Sequence, residues 1–205
     1  MDSNTAPKED ASKKATIAQA PFNNEGADAD IILRSSDKVD FYVHKLLLRM
    51  ASSFFADMFI VAASTPGQGA SPPIVDIAES SSTMNSILRV CYPVDEVKEA
   101  SLDKVAEVLE AAMKYEVRKA ITNMKKELLT YILMAPISVY AKACTLNLED
   151  EACRAAVGWR LQYDSKGEHP HLSVLLLRIL WYQLGVICSS TMSGLGPIGD
   201  VHTYI

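Results

Sequence analysis

The apolar and polar positions between residues 30 and 59 predict a β-hairpin followed by two short helices. The apolar run 31–33 has the length of a buried strand, and a polar turn follows it at residues 35–38. The next residues alternate between two faces, with Val39, Phe41 and Val43 on one and Asp40, Tyr42 and His44 on the other. After the hairpin, apolar residues recur at helical spacing, namely Leu46, Leu47, Leu48, Met50, Phe54, Phe55, Met58 and Phe59. Ser52 and Ser53 interrupt this run, where a hydroxyl group is well placed to cap the second helix.

The pattern continues with one more strand and a series of amphipathic helices. Residues 73–78 (PIVDIA) predict a third strand that joins the hairpin. Residues 80–83 then offer capping hydroxyls for a helix that ends at Pro93. Ser101 caps a further helix with a clear apolar face, and another such helix runs to about residue 132.

Helical patterning persists beyond this point. Pro136 suits the first turn of a helix, and Asn147 tolerates the left-handed geometry of a helix end. Residues 149–151 are all acidic and predict the start of the next helix, because carboxylates favour the positive end of the helix dipole. A last predicted helix, from Leu172 to about Cys188, is apolar nearly all round.

Four stretches are predicted to lack regular structure. Residues 1–26 contain too few apolar side chains to offset the entropy of ordering, so we expect a disordered tail. Residues 191–205 form a second predicted tail. Residues 64–73 are rich in glycine and proline and predict a loop, as do residues 164–171.

The order of a hairpin and paired helices resembles the opening of a BTB/POZ domain. The matching residues are Asp30 at the first strand, His44 and Lys45 at the end of the second, and the helix 53–59 (SFFADMF). The resemblance covers residues 27–130, and the following residues, 131–190, look like the helical extension common in fungal members. It implies an α+β fold, with a small three-stranded mixed sheet flanked by a cluster of helices and followed by an all-helical extension.

Composition limits the classes of binding partner and the cellular compartment that the sequence predicts. The 205 residues are 49% hydrophobic and carry a net charge of −5, with lysine and arginine scattered, so we expect no direct binding to nucleic acid. The N-terminus has no apolar stretch of the kind that a secretory signal needs. We therefore predict reduced thiols and a cytoplasmic and/or nuclear location. The four widely separated cysteines are Cys91, Cys144, Cys153 and Cys188.

No pattern of residues predicts catalysis, a cofactor or a metal site. His44 has no evident catalytic partners, and the resemblance implies a buried structural histidine whose ring satisfies backbone groups where the hairpin meets the first helix. His169 and His171 supply two ligands where a metal needs three or four. We therefore predict a non-enzymatic protein.

The resemblance implies a homodimer, and the surplus of apolar residues supplies a physical motive for it. Leu46, Leu47, Met50 and Phe54, together with Phe55, form an almost continuous apolar belt. We do not expect a small domain to bury the whole belt, and large exposed apolar patches mark interfaces. Leu47, Met50 and Phe54 are predicted to lie near the dimer axis.

Two pairs of residues leave alternatives open. Asp30 and Lys45 match a charged pair that lines a groove in repressor-type family members, so they predict either a peptide groove or a local ion pair that braces the fold. Ile17 and Phe22 are apolar residues in the N-terminal tail. They either cross to the partner, as a segment before the first strand does in some BTB dimers, or are incidental.

The predicted function is that of an interaction module that self-associates and acts as an adaptor or scaffold. A cullin-type ubiquitin ligase is one partner class, although the apolar-x-Glu pattern of cullin-binding members is missing from residues 60–64 (IVAAS). A transcriptional co-regulator is another possibility. The last predicted helix either packs on its neighbours, docks a partner or anchors the chain in a membrane. Arg178 opposes the anchor, since a central arginine costs about 2.5–3.5 kcal/mol on insertion scales.

Overall fold

The chain folds into an α+β architecture, as predicted. The computed structural model describes residues 15–23, 28–63, 72–95 and 98–164. These residues form two compact units. The first unit takes the described residues among Met1–Val97 and Ala111–Lys119, and the second those among Lys98–Glu110 and Ala120–Ile205. The predicted last helix, most of the two predicted loops and the C-terminal tail lie outside the described residues.

The first unit contains a mixed sheet. β2 (Ile31–Arg34) and β3 (Val39–Val43) form the predicted antiparallel hairpin, and β4 (Ile74–Asp76) pairs in parallel with β2. The turn between β2 and β3 closes through Lys38, whose φ of 64° lies in the left-handed region. The predicted hairpin and third strand are therefore confirmed.

The sheet differs from the prediction by one additional strand. β1 (Thr16–Ile17) pairs in parallel with β3, so the described part of the sheet has four strands in the order β1-β3-β2-β4. Phe22 follows β1 and is fully buried, with its ring centroid 6.0 Å from that of Phe41. Residues 15–23 are thus ordered where their composition predicted disorder. The edge of β3 supplies backbone partners for this segment, and the burial of one aromatic ring supplies the apolar contact that the rest of the tail lacks.

Short polar caps define the helices of the first unit. α1 (Lys45–Ala51) and α2 (Ser53–Ala63) meet at Ser52, whose hydroxyl accepts a 3.1 Å hydrogen bond from the backbone N–H of Phe55. The same hydroxyl donates to the carbonyl of Tyr115 at 2.6 Å, so both of its hydrogen-bonding roles are satisfied. The predicted cap at this junction is confirmed.

The next helix also begins and ends where the sequence predicts. α3 (Ser81–Cys91) is capped by Ser80, whose hydroxyl accepts from the backbone N–H of Thr83 at 3.3 Å. Tyr92 follows the last residue of α3, and Pro93 stands outside the helix.

The remaining helices follow the predicted order. They are α4 (Leu102–Lys114), α5 (Arg118–Thr130), a 3₁₀ turn (Tyr131–Leu133), α6 (Pro136–Thr145) and α7 (Glu149–Asp164). Pro136 lies in the first turn of α6, and Asn147 has a φ of 55° between α6 and α7, as predicted. The acidic residues 149–151 form the first turn of α7.

Each unit has its own apolar core. In the first unit the sheet and helices bury Ile31, Leu33, Phe41, Val43, Leu48, Phe55, Met84, Ile87 and Leu88. The second unit buries Val105, Leu109, Leu128, Val139, Ala152, Ala155 and Ala156, together with Trp159. Gly158 belongs to the close packing of α7 on the 3₁₀ turn, because a Cβ atom there would stand 2.3 Å from Cγ2 of Ile132.

Candidate interaction surface

An apolar surface lies exposed on α1 and the first turn of α2. Met50 is 78% exposed and Leu46 is 66% exposed, while Leu48 is the buried residue of α1. Phe54 continues the surface onto α2 with 38% of its area exposed. Leu47 follows Leu46 in α1 and is half-buried. We call these four predicted interface residues, Leu46, Leu47, Met50 and Phe54, the α1 surface.

The predicted belt is not apolar surface throughout, because Phe54 and Phe55 separate. Phe55 is fully buried and stacks on Tyr115, with ring centroids 5.3 Å apart and planes inclined by 8°. Phe54 makes a T-shaped contact with the same Tyr115 ring, with centroids 5.4 Å apart, while remaining partly exposed. Phe55 therefore belongs to the core. It also helps to fix the position from which Phe54 reaches solvent.

Asp30 holds the start of α1 in place. Its carboxylate accepts a 2.7 Å hydrogen bond from the backbone N–H of Lys45, the first residue of the helix. A carboxylate is favourable at this end of a helix because the backbone N–H groups there lack partners within the helix. The sequence offered an ion pair with the Lys45 side chain as one interpretation. The contact found instead uses the backbone of Lys45, which any residue except proline would provide.

His44 is paired with a residue that the sequence analysis did not single out. The backbone N–H of His44 donates to the hydroxyl of Tyr92 at 2.7 Å, and Nδ1 of its ring lies 3.1 Å from that same oxygen. The sequence predicts a buried histidine whose ring satisfies backbone groups, whereas the ring found at this junction meets a hydroxyl group and the residue is half-buried. Tyr92 follows the last residue of α3, and its spacing from His44 in the sequence gives no indication of this contact.

The Tyr92 hydroxyl of this pair is held in its protonated form. Burial raises the pKa of the Tyr92 hydroxyl to about 12, so the phenol stays neutral at physiological pH. The Tyr92 ring also packs edge-on against Phe22, with centroids 5.2 Å apart. His44 and Tyr92 therefore join three segments of the first unit: residues 15–23, which we call the N-terminal arm, the end of β3 and the end of α3.

A partly buried ion pair lies on the hairpin. Arg34 and Asp40 stand opposite each other in the register of β2 and β3, and the guanidinium donates to both carboxylate oxygens, at 2.7 and 2.8 Å. This two-point contact allows Asp40 to be buried although the alternating pattern had placed it on the polar face. It strengthens the hairpin that leads into α1.

Metal ligands, cysteines and membrane spans are the remaining candidate features among the described residues. Among them, no group of His, Cys, Asp and Glu is arranged to hold a metal ion, and Cys91, Cys144 and Cys153 form no disulfide bond with one another. Burial raises the pKa of the Cys91 thiol to about 11, which disfavours the reactive thiolate. Within the same described ranges, no helix has both the length and the apolar character needed to cross a bilayer. His169, His171 and Cys188 lie outside them.

Comparison with known proteins identifies the family. A family model of the BTB/POZ domain matches residues 20–132, which is more than half of the chain, and the chain belongs to this family. BTB domains are generally protein-interaction modules rather than enzymes, and this chain carries one. The predicted domain, 27–130, lies within the matched residues, which also include Phe22.

A solved structure and the curated proteins complete the comparison. The chain is similar to the BTB domain of zebrafish PATZ1, with 22% sequence identity over 50% of this chain and 76% of that chain and a TM-score of 0.40. No curated protein matches the chain.

Proposed function

We propose that this protein is a non-enzymatic adaptor that self-associates through the α1 surface of its BTB domain. The observation that carries the proposal is the exposure of Met50 and Leu46, two large apolar side chains on one short helix. Burying such a side chain against a partner contributes roughly 1.5–3 kcal/mol. A second copy of the same surface supplies an apolar partner for these residues, because a twofold interface is self-complementary.

The neighbouring contacts support an interface that is formed before association. Asp30 caps α1, Ser52 caps α2, and Phe54 rests against Tyr115. A surface held in this way loses little conformational entropy on binding, which favours association. In the proposed dimer, Leu47, Met50 and Phe54 lie near the twofold axis.

The adaptor role follows from valency. A homodimer carries two copies of every other binding surface on the chain, and this raises its avidity for a repeated or dimeric partner. The partner classes are those that the family suggests, a cullin scaffold or a transcriptional complex in the cytoplasm or nucleus. The cullin is the weaker of the two for this chain, since residues 60–64 contain no glutamate.

Co-purification of two differently tagged full-length copies tests the proposal. We expect the wild-type copies to purify together and Met50→Glu in both copies to abolish this, because a buried carboxylate at the interface is strongly disfavoured. Val61→Glu is the matched control, since Val61 is similarly exposed on α2 but lies outside the α1 surface. Failure of the wild-type copies to purify together, or equal loss with both variants, contradicts the proposal.

A further inference from the structure

A second exposed apolar surface lies in the second unit, where the 3₁₀ turn meets the end of α7. Leu133 is 79% exposed, Met134 is 77% exposed and Leu161 is 66% exposed. Next to Leu161, the side-chain amide of Gln162 donates a 2.6 Å hydrogen bond to the carbonyl of Leu133, and this brings the two elements together. We call Leu133, Met134, Ile137 and Leu161 the terminal patch.

The terminal patch stands on closely packed backbone. One turn before Gln162, Gly158 lets α7 approach Ile132 so closely that a Cβ atom would overlap its side chain. On the other side of the turn, Pro136 is buried in the first turn of α6. The patch is therefore a formed surface, and its large apolar side chains face water unless another segment covers them.

The chain itself provides a covering segment close by. α7 ends at Asp164, in the same turn as Leu161. Seven residues, 165–171, then lead to residues 172–188 (LSVLLLRILWYQLGVIC), whose one charged residue is Arg178. Seven residues span at most about 25 Å. The apolar segment is therefore tethered within reach of the patch.

We propose that residues 172–188 pack on the terminal patch of their own chain. Each partner presents apolar surface that is unfavourable in water, and contact between them removes both from solvent. The short tether gives the segment an effective concentration in the millimolar range, well above that of a second copy at micromolar concentration. The occupied patch is then closed to outside partners, and the segment is held on the protein rather than in a bilayer. This proposal does not depend on the α1 surface.

Site-specific photo-crosslinking of the full-length protein tests this contact. Leu161→p-benzoylphenylalanine places a photoreactive group on the patch, and peptide mass spectrometry locates the residue to which it attaches. An equal mixture of ¹⁴N- and ¹⁵N-labelled chains separates bonds within a chain from bonds between chains. We expect attachment to residues 172–188 of the same chain. Attachment between chains, or no attachment to the segment, overturns the proposal.

Hydrogen exchange provides an independent readout without a bulky probe. The double variant Leu133→Glu/Leu161→Glu is expected to speed amide exchange in residues 172–188 by roughly tenfold or more, whereas Val61→Glu leaves it unchanged. Equal exchange in the double variant and the wild type overturns the proposal. Transfer of the wild-type segment into phosphatidylcholine–phosphatidylserine vesicles, detected as co-flotation of the protein with the vesicles, also overturns the proposal. The co-purification of tagged copies tests self-association through the α1 surface alone. Failure of either proposal therefore does not affect the other.

Discussion

The hydroxyl of Tyr92 accepts a 2.7 Å hydrogen bond from the backbone N–H of His44, across 48 residues of sequence. His44 lies between β3 and α1, and Tyr92 follows the last residue of α3. This one contact therefore connects the hairpin to the helix after the sheet. It lies directly beside the residue that begins α1 and hence the α1 surface.

Removing the Tyr92 hydroxyl tests how much this hydrogen bond contributes to the stability of the fold. We expect Tyr92→Phe to lower the free energy of unfolding by about 1–2 kcal/mol, because the N–H of His44 loses its partner while the ring contact with Phe22 remains. Chemical denaturation at neutral pH measures the change. A loss below about 0.3 kcal/mol would show that water replaces the hydroxyl at no cost.

Substitutions at Asp30 and Lys45 distinguish a helix cap from an ion pair between the two side chains. Asp30→Ala is expected to cost about 1 kcal/mol of stability, since the first N–H of α1 loses its acceptor. Lys45→Ala is expected to stay within about 0.5 kcal/mol of the wild type, because its backbone N–H is unchanged. Denaturation of both variants decides between the two. Similar losses from both would restore the ion pair of the sequence analysis.

Phe22 tests whether the N-terminal arm is part of the folded domain. Phe22→Ala removes a fully buried ring, and we expect it to lower the free energy of unfolding by about 3–5 kcal/mol. Ile17→Ala is the control within the same arm. It is expected to cost less than about 1 kcal/mol, because Ile17 is exposed. Equal and small losses from both variants would mean that the arm is not packed on the sheet.

The carboxyl group of Asp37 is expected to make the stability of the protein depend on pH. Loss of part of its hydration raises the pKa of the carboxyl group, but hydrogen bonds from Ser81 and Ser35 outweigh this and lower the pKa to about 2. A carboxyl whose pKa is lower in the folded state than its unfolded value of about 3.9 stabilises the protein above that value. This contribution is lost as the pH falls towards 2.

The pH dependence separates Asp37→Asn from the wild type. Because the side chain is exposed, solvent screening limits the loss in the variant to about 0.5–1 kcal/mol at pH 7. The difference between variant and wild type is expected to shrink from pH 5 to pH 3, measured by urea denaturation at each pH. A difference that stays constant or grows on acidification contradicts the assigned shift.

Local chemistry explains the parts of the fold that were predictable from the sequence. Ser52 and Ser80 cap the helices that follow them, and Asn147 takes the left-handed conformation at a helix end. In each case, a residue and its near neighbours in sequence determine the structure. The hairpin was equally readable, since a two-residue alternation and a polar turn are local features.

Features that depend on distant partners were not predictable. β1 forms because the edge of β3 provides backbone hydrogen-bonding partners for it. A strand of two residues is too short for its sequence pattern to predict a parallel pairing. Phe54 and Phe55 are adjacent in α2, and adjacent helical residues point about 100° apart, so one faces outward and the other inward. Which one is buried depends on the new helical phase that begins after Ser52. The Tyr92 contact spans a large part of the first unit. Spacing alone gives no hint of it.

The mass of the full-length protein in solution tests the central claim most directly. Light scattering coupled to size-exclusion chromatography, at micromolar concentration, is expected to give twice the 22.4 kDa mass of one chain. Leu46→Glu/Met50→Glu is expected to give the mass of a single chain with an unchanged circular dichroism spectrum. A wild-type protein that elutes only as a single 22.4 kDa chain would contradict self-association through the α1 surface.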